Sequence, residues 1–261
     1  MARRTLVGKR ILVTGASQGI GYAFAREAAR RGAKVIAVAR SAEPLQILVE
    51  DAVDRLGQII VVIGDVSDPV DRDRMLQVAL QQFGGLDILV NNAGQGATGL
   101  FGDTNPKTLR SMMEINFFAL AELTRLCLPT LQFGVRPLIV NVSSIFGRRG
   151  FPRYSEYCAS KFAVQGFSDA IRAELSKLNI GVLVVNPGPT ETKFQECMVE
   201  RDAATPHARW RMSAAKVGVA MCRAIERDKD EITLTLVGKA LVLANRFTPR
   251  ALEWYFRRQF T

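Results

Sequence analysis

The sequence predicts an α/β fold, a doubly wound parallel sheet of about seven strands with helices on both faces. Short apolar runs rich in valine and isoleucine alternate with longer segments of helical periodicity. The apolar runs are nearly continuous, as expected for strands buried on both faces of a sheet. Because strand, helix and strand follow one another repeatedly, we expect right-handed crossovers and ligands at the carboxyl ends of the strands.

The elements follow from these patterns in chain order. Strands are predicted where short apolar runs are bounded by Gly, Asp or Asn, at 11–14, 35–39, 59–63, 88–91, 138–142 and 182–186, with a last strand near 232–236. Helices are predicted where apolar residues recur with helical period, at 20–31, 43–56, 69–83, 106–131, 157–178 and 214–227.

Residues 1–261 are expected to form one domain. Apolar residues make up 48% of the chain, enough for a sizeable core, and no Pro/Gly/Ser-rich linker interrupts it. The apolar stretch after Arg3 and Arg4 is too short for a signal peptide. No run of about 18 uncharged apolar residues suggests a spanning helix. We therefore expect a cytoplasmic protein.

Charge, cysteine and histidine content narrow the function further. The formal charge of +10 comes from scattered basic residues, without the basic and aromatic tract expected of a nucleic-acid partner. The four cysteines include no Cys-x-x-Cys pair, so neither a disulfide framework nor a metal site is expected; they are Cys127, Cys158, Cys197 and Cys222. The only histidine, His207, lies in a polar stretch that favours a surface loop.

A glycine-rich turn joins the first predicted strand to the first helix. It reads Thr14-Gly-Ala-Ser-Gln-Gly-Ile-Gly21. Glycines there allow a tight turn, and they let a pyrophosphate approach the amides at the helix N-terminus, where the dipole favours an anion. The residues expected to hold it are Gly15, Ser17, Gln18, Gly19, Ile20 and Gly21.

This Gly-x-x-x-Gly-x-Gly spacing is one of several motifs that occur in a particular order. The others are Asp65-Val66, Asn91-Asn92-Ala93-Gly94, Asn116, Asn141-Val142-Ser143-Ser144, Tyr157-x-x-x-Lys161 and Asn186-Pro187-Gly188. Together, from about residue 8 to 192, they resemble the short-chain dehydrogenase/reductase family, which has a Rossmann-type fold. The resemblance implies hydride transfer between a nicotinamide cofactor and a carbonyl or alcohol carbon, without a metal.

Four residues are the candidate catalytic group. Tyr157 and Lys161 are four positions apart and therefore share a helix face. The ammonium group, together with oxidised nicotinamide, is expected to bring the phenol pKa into range for acid–base catalysis. The resemblance selects Ser144, rather than Ser143, as donor to the substrate oxygen. It also implies a water relay through Asn116, for which a purely structural hydrogen bond is the alternative.

The resemblance also assigns cofactor contacts along the chain. Asp65 and Val66 are expected to border the adenine. The sequence Asn92-Ala93-Gly94 is expected to line the floor under the ribose and phosphates, while Tyr157 and Lys161 face the cofactor as well. The nicotinamide end is expected to contact Pro187, Gly188, Thr190 and Thr192.

The end of the second strand predicts the cofactor type. An NAD-specific enzyme has a carboxylate there for the ribose 2′-hydroxyl, whereas this chain has Ala39, followed by Arg40 and Ser41. An arginine can pair with a 2′-phosphate. The sequence therefore favours NADP(H), although a helix-start arginine with Ser41 as cap is the alternative.

The substrate side is the least determined. Residues 190–213 are the expected substrate lid, with Phe194, Met198 and Trp210 among many charges, and Phe146, Phe151 and Tyr154 fit either the site or the core. We expect a small, apolar carbonyl or alcohol substrate and a homo-oligomer. A non-catalytic NADPH sensor is the rival function.

Residues 237–261 are the expected C-terminal helical extension, in which Thr248-Pro249 is a good helix start. A helical projection groups Ala251, Leu252, Tyr255, Phe256 and Phe260 on one side. Arg250, Glu253, Arg257 and Arg258 project from the other side, with Trp254 among them. This basic amphipathic helix leaves two interpretations open: packing on its own domain or a partner subunit, or peripheral contact with a membrane.

Overall fold

The computed structural model describes residues 4–52, 56–203, 205 and 211–260. Its strands are β1 Arg10–Thr14, β2 Lys34–Ala39, β3 Gln58–Ile63, β4 Ile88–Asn91, β5 Leu138–Val142, β6 Gly181–Asn186, β7 Thr190–Glu191, β8 Met212–Ser213 and β9 Glu231–Thr233. Its helices are α1 Gly19–Arg30, α2 Ala42–Asp51, α3 Pro69–Phe83, α4 Pro106–Met113, α5 Ala119–Leu131, α6 Ser155–Leu175, α7 Ala214–Glu226, α8 Leu236–Phe247 and α9 Pro249–Phe260.

Seven of these strands form one parallel sheet in the order β3-β2-β1-β4-β5-β6-β9, which confirms the predicted doubly wound fold. One face is covered by α1, α2 and α7, and the other by α3, α5 and α6. The chain reverses its direction of winding between β1 and β4, so the ends of these two strands, at Thr14 and Asn91, flank the crevice where such sheets bind ligands.

The last sheet strand is shorter than predicted. Strand β9 ends at Thr233, because only its pairing with Val184–Asn186 of β6 holds it at the sheet edge. The Thr235 side chain then accepts a hydrogen bond from the Gly238 amide and caps α8. The predicted strand residue Leu236 is therefore the first residue of a helix.

The predicted helix 106–131 is interrupted. Between α4 and α5, residues Glu114–Phe118 form a π-helical turn, which holds one residue more than an α-helical turn. Asn116 lies within this turn. The predicted helix 43–56 ends at Asp51, and residues 53–55 lie outside the described part of the chain. Among the described residues, no helix combines the length and hydropathy needed to cross a membrane.

Candidate active site

The glycine turn after β1 is a cradle that side chains would fill. Gly15 has a φ of +67°, and a Cβ there would lie 2.8 Å from the Ala93 Cα. A Cβ on Gly21 would lie 2.3 Å from the Gly15 carbonyl oxygen. Helix α1 begins at Gly19 without a side-chain cap from Gln18, and Ser17 and Ile20 are half-buried beside it. Backbone amides at a helix N-terminus are suited to a diphosphate, so this turn fits a dinucleotide.

Thr14 and Asn92 connect this turn to the end of β4. The Thr14 hydroxyl accepts hydrogen bonds from the amides of Asn92 and Ala93, each at 3.0 Å. The Asn92 side chain donates to the carbonyls of Thr14 at 2.9 Å and Gly15 at 3.1 Å. The predicted floor residues therefore also hold the glycine turn in place. A small cavity at this point is lined by Thr14, Val66 and Ala93, among others.

Arg40 and Ser41 lie exposed just after β2, on the side of the glycine turn away from β4. Asp65 follows β3 next to them and accepts hydrogen bonds from the Ser67 amide at 2.9 Å and hydroxyl at 2.7 Å. Burial opposes ionisation of Asp65, but the hydrogen bonds from Ser67 and the charge of Arg40 hold its pKa below the ordinary value.

The two serines that follow β5, Ser143 and Ser144, have different side-chain partners. The Ser144 side chain faces the Tyr157 phenol across the gap to α6 and acts to lower the pKa of that phenol. Its oxygen also accepts from the Phe146 amide at 3.2 Å. Ser143 instead donates to the Lys161 carbonyl at 3.1 Å, inside the protein. Only Ser144 is thus directed toward Tyr157, whereas Ser143 joins β5 to α6.

Lys161 lies behind Tyr157, one helical turn along α6. Its Nζ donates to the Val142 carbonyl at 3.0 Å and lies 5.8 Å from the centre of the Tyr157 ring. Burial lowers the pKa of Lys161 to about 8.

Burial also raises the pKa of Tyr157, and the hydrogen bond from Ser144 opposes this only in part. The expected lowering of the phenol pKa by Lys161 is therefore absent in the protein alone, because desolvation of the phenolate dominates. In this state the phenol keeps its proton at neutral pH.

Asn116 is buried inside the π-helical turn and has several partners. Its Oδ1 accepts from the Gln95 amide at 2.8 Å, and its Nδ2 donates to the Gln95 carbonyl at 3.0 Å and to Ser160 at 2.9 Å. These bonds connect the loop after β4 to α6. A Cβ on Gly94 would lie 3.0 Å from Asn116 Oδ1 and 3.6 Å from Lys161 Nζ, so the three groups adjoin.

The residues after β6 bring the start of the predicted lid next to the glycine turn. The Pro187 carbonyl accepts from the Ile145 amide at 3.1 Å, and Thr190 donates to the Gly188 carbonyl at 2.9 Å. A Cβ on Gly19 would lie 2.9 Å from the Thr192 methyl carbon. Thr192 thus adjoins the N-terminus of α1.

Aromatic rings flank Tyr157 on two sides. Its ring centre lies 6.0 Å from that of Phe146 and 6.0 Å from that of Phe194 in the lid. Phe146 in turn contacts Phe151 at 4.2 Å and Tyr154 at 4.7 Å. All four are half-buried rather than part of the sheet core. Met198 adjoins Gly96 next to Phe194, while Trp210 and His207 lie outside the described residues.

Sequence reasoning missed several residues that position the site. Glu200 anchors the segment predicted as the lid, since its backbone pairs with Ala97 and its carboxylate accepts from the Thr108 hydroxyl at 2.7 Å. Gln95 and Ser160 hold Asn116. Only their proximity in the fold reveals these roles, because glutamate, glutamine and serine are common surface residues and carried no pattern.

Asn91 and Asn141 form a buried network between β4, β5 and α6. Asn91 donates to Asn141 at 2.9 Å, and Asn141 donates to Ser168 at 2.9 Å. An available signal was the recurrence of asparagine at the ends of successive strands. This network holds the strand ends that carry the site, because buried amides need partners.

The fold and this arrangement define a nucleotide-binding oxidoreductase with a tyrosine, lysine and serine at the carboxyl edge of its sheet. The family described as short chain dehydrogenase matches residues 9–203. A dehydrogenase/reductase SDR family protein 7-like from Anopheles gambiae is 31% identical over 98% of this chain and 84% of its own length. The 11-beta-hydroxysteroid dehydrogenase A of Sesamum indicum is 33% identical over 98% of this chain and 76% of its own.

Among solved structures, a short chain dehydrogenase/reductase from Burkholderia phymatum in complex with NAD has the same fold. Its TM-score is 0.85 at 23% identity, over 95% of this chain and 96% of that one. The chain belongs to the short-chain dehydrogenase/reductase family.

Proposed function

We propose that this protein is an NADP(H)-dependent oxidoreductase that interconverts a carbonyl and a secondary alcohol on a small, apolar substrate. The observation that carries the proposal is the convergence on Tyr157 of the Ser144 side chain and the buried ammonium of Lys161, whose Nζ lies 5.8 Å from the centre of the phenol ring. This arrangement offers two donors to one substrate oxygen and a source for the proton that is transferred.

Each side chain has a separate task in the proposed reaction. Ser144 donates a hydrogen bond to the carbonyl oxygen and orients it. Tyr157, whose raised pKa keeps its proton in place, transfers that proton to the developing alkoxide. A nicotinamide cofactor, when bound, supplies the hydride in this direction and accepts it in the reverse. Lys161 then returns a proton to Tyr157, with Asn116 holding the path to solvent.

The preference for NADP(H) is supported by the end of β2. Ala39 provides no carboxylate for a ribose 2′-hydroxyl, and Arg40 is exposed beside it. Its guanidinium acts on Asp65 across the gap, and Asp65 is the residue proposed to border the adenine. A 2′-phosphate would give Arg40 a doubly charged partner.

The preference for an apolar substrate is supported by the rings around Tyr157. Phe146 and Phe194 enclose the phenol from two sides, and such walls favour a flat or aliphatic substrate over a charged one. The relative from sesame, a hydroxysteroid dehydrogenase by name, is in keeping with this class.

A spectrophotometric assay against a panel of aliphatic, cyclic and steroid ketones tests both parts. We expect oxidation of NADPH with a lower cofactor KM than for NADH, and a loss of that difference in Arg40→Gln. Arg125→Gln, which removes an exposed arginine of α5, is the matched control. A lower KM for NADH in the wild type would overturn the cofactor preference. Cofactor binding without turnover on any ketone would instead favour a non-catalytic NADPH sensor.

We further propose a homo-oligomer. Phe118 and Phe162 are each 46% exposed, on the π-helical turn and on α6, which pack against each other. Exposed aromatic rings on adjoining elements are typical of a subunit contact. Analytical ultracentrifugation tests it, and a monomer at assay concentration would contradict the proposal.

A further inference from the structure

Helices α8 and α9 follow the last strand and lie against the substrate side of the site. Asn245 donates to the Arg148 carbonyl at 3.0 Å, and Arg149 pairs with Glu253 at 2.6 Å. The rings of Phe256 and Phe151 are 5.3 Å apart. The predicted apolar side of α9 is divided: Leu252 and Phe256 are half-buried, while Ala251 and Tyr255 are exposed. The side chain of Phe260, the fifth residue predicted on that side, lies outside the described part of the structure.

The opposite side of α8 is apolar and exposed. Apolar residues recur every three or four positions along this side and form what we call the outer stripe, which consists of Leu236, Ala240, Leu243 and Phe247. Leu236 is 83% exposed, Leu243 59% and Phe247 69%. On α9, Trp254 is 59% exposed as well. Such a stripe on a helix whose inner side already packs on the protein requires a second apolar environment.

The charges on the segment that carries the outer stripe are almost all positive. Residues 232–261 contain five basic residues, which are Lys239, Arg246, Arg250, Arg257 and Arg258. Glu253 is their only acidic residue, and its carboxylate is engaged by Arg149 and Arg257. Arg258 lies over the Trp254 ring at 4.4 Å, an arrangement that suits the polar boundary of a lipid layer.

A groove between α7 and β9 extends this positive surface. We call it the basic groove, because its lining includes Lys216, Arg223, Arg227, Lys229 and Lys239. The remaining described lining residues are alanine, valine, isoleucine, leucine and threonine, without a carboxylate. Lys239 belongs to α8 as well, so the basic groove and the outer stripe adjoin on that helix.

We propose that the outer stripe and the basic groove together bind the surface of an anionic phospholipid bilayer. Apolar side chains would enter the acyl boundary while the flanking lysines and arginines meet lipid phosphates. At 12 residues each, α8 and α9 are too short to span a bilayer and suit a position in its plane.

The charge pattern argues against a second copy of the chain as the occupant. A symmetric interface across this surface would place the basic groove against its own image, and like charges in apposition oppose association. An anionic bilayer provides the opposite charge instead. Bound in this way, the protein would hold the aromatic rings beside Tyr157 next to the membrane, through the contact of Phe256 with Phe151.

Sedimentation of the full-length protein with vesicles tests the proposal without any turnover. The vesicles are phosphatidylcholine alone, or phosphatidylcholine with about one third phosphatidylserine. We expect salt-sensitive binding to the anionic vesicles only. Leu243→Glu with Phe247→Glu should weaken it by at least about tenfold. The control is Phe133→Glu, which makes the same change at a side chain that is 86% exposed and precedes β5.

A second pair of variants tests the charges. Lys239→Gln with Arg223→Gln should weaken binding by about fivefold for each charge removed, whereas Lys177→Gln, at an exposed lysine after α6, should leave it unchanged. The proposal is overturned if the wild type ignores anionic vesicles or if Phe133→Glu weakens binding equally. It is also overturned if the outer-stripe variants lower the oligomer mass while no form of the protein binds vesicles.

Discussion

Two sides of the candidate site are built by different means. On the polar side, formed by the ends of β1, β4 and β5 with α6, nearly every group is buried and held by directed hydrogen bonds, as in the bonds of Ser143, Asn116 and Lys161. On the aromatic side, formed by residues 146–154, Phe194 and α9, half-buried rings meet at centre distances of 4.2 to 6.0 Å.

The difference teaches where substitution is tolerated. A buried hydrogen bond requires one donor and one acceptor at a fixed distance, and losing one partner leaves the other unsatisfied. Aromatic packing accepts other apolar residues of similar volume at modest cost. The polar side is therefore recognisable as a set of motifs, whereas the aromatic side is free to vary with the substrate.

The largest effect is expected from Tyr157→Phe. It removes the proposed proton donor and should lower kcat by about 10²- to 10⁴-fold, with cofactor affinity unchanged. Tyr154→Phe is the control, since that tyrosine belongs to the aromatic side and contacts Phe146. Steady-state assays and fluorescence titration with NADPH measure the two quantities. Retention of more than about a tenth of the wild-type rate would exclude Tyr157 as the acid.

The second-largest effect is expected from substitution of one of the two serines after β5. Ser144→Ala should lower kcat by about 100-fold, because a donor to the substrate oxygen is lost. Ser143→Ala should leave kcat nearly unchanged and cost about 1 kcal/mol of unfolding free energy, because it removes the buried bond to Lys161. Urea unfolding and kinetics of both variants distinguish the roles. The reverse pattern would mean that Ser143 is the donor.

Alanine substitutions at two glycines, Gly21 and Gly166, test how closely the backbone packs on the polar side, by their effect on stability. In Gly21→Ala the new Cβ would lie 2.3 Å from the Gly15 carbonyl oxygen, so we expect a loss of about 1–3 kcal/mol and weaker cofactor binding. Gly166 in α6 has open space around it, so Gly166→Ala should stabilise the protein by about 0.4–1 kcal/mol. Equal urea midpoints for both variants would contradict the close approach.

The pH profile of reduction should report Lys161. Its lowered pKa of about 8 means that it is charged below that pH and neutral above it, whereas the raised pKa of Tyr157 keeps the phenol protonated. We therefore expect kcat for reduction to be constant below about pH 8 and to fall about tenfold per pH unit above it. A flat profile up to about pH 10 would show that Lys161 does not supply the proton.

The smallest effect is expected on the aromatic side. Phe256→Ala removes the ring that supports Phe151 and should raise KM for an apolar substrate by about two- to tenfold, with kcat nearly unchanged. Trp254→Ala, on the exposed side of the same helix, is the control for the helix itself. A fall in kcat comparable to that of Tyr157→Phe would abolish the distinction between the two sides.

Most of the fold was predictable because its signals are local. The six strands predicted from 11–14 to 182–186 lie within β1 to β6, since runs of valine and isoleucine bounded by turn residues suit buried parallel strands. The last strand was predicted too long. Its end depends on pairing with β6 and on the Thr235 cap, and neither can be seen in apolar periodicity.

The sequence by itself determined the glycine turn, the motifs that follow the predicted strands, and the helix face that Tyr157 and Lys161 share. Each of these depends on residue type at short spacing. Only the tertiary structure decided that Ser143 bonds to the Lys161 carbonyl, and that Asn116 lies in a π-helical turn. It also decided that α9 supports the aromatic side through Phe256. These contacts join residues far apart in the chain. Which of many plausible partners meet depends on how the elements pack in three dimensions.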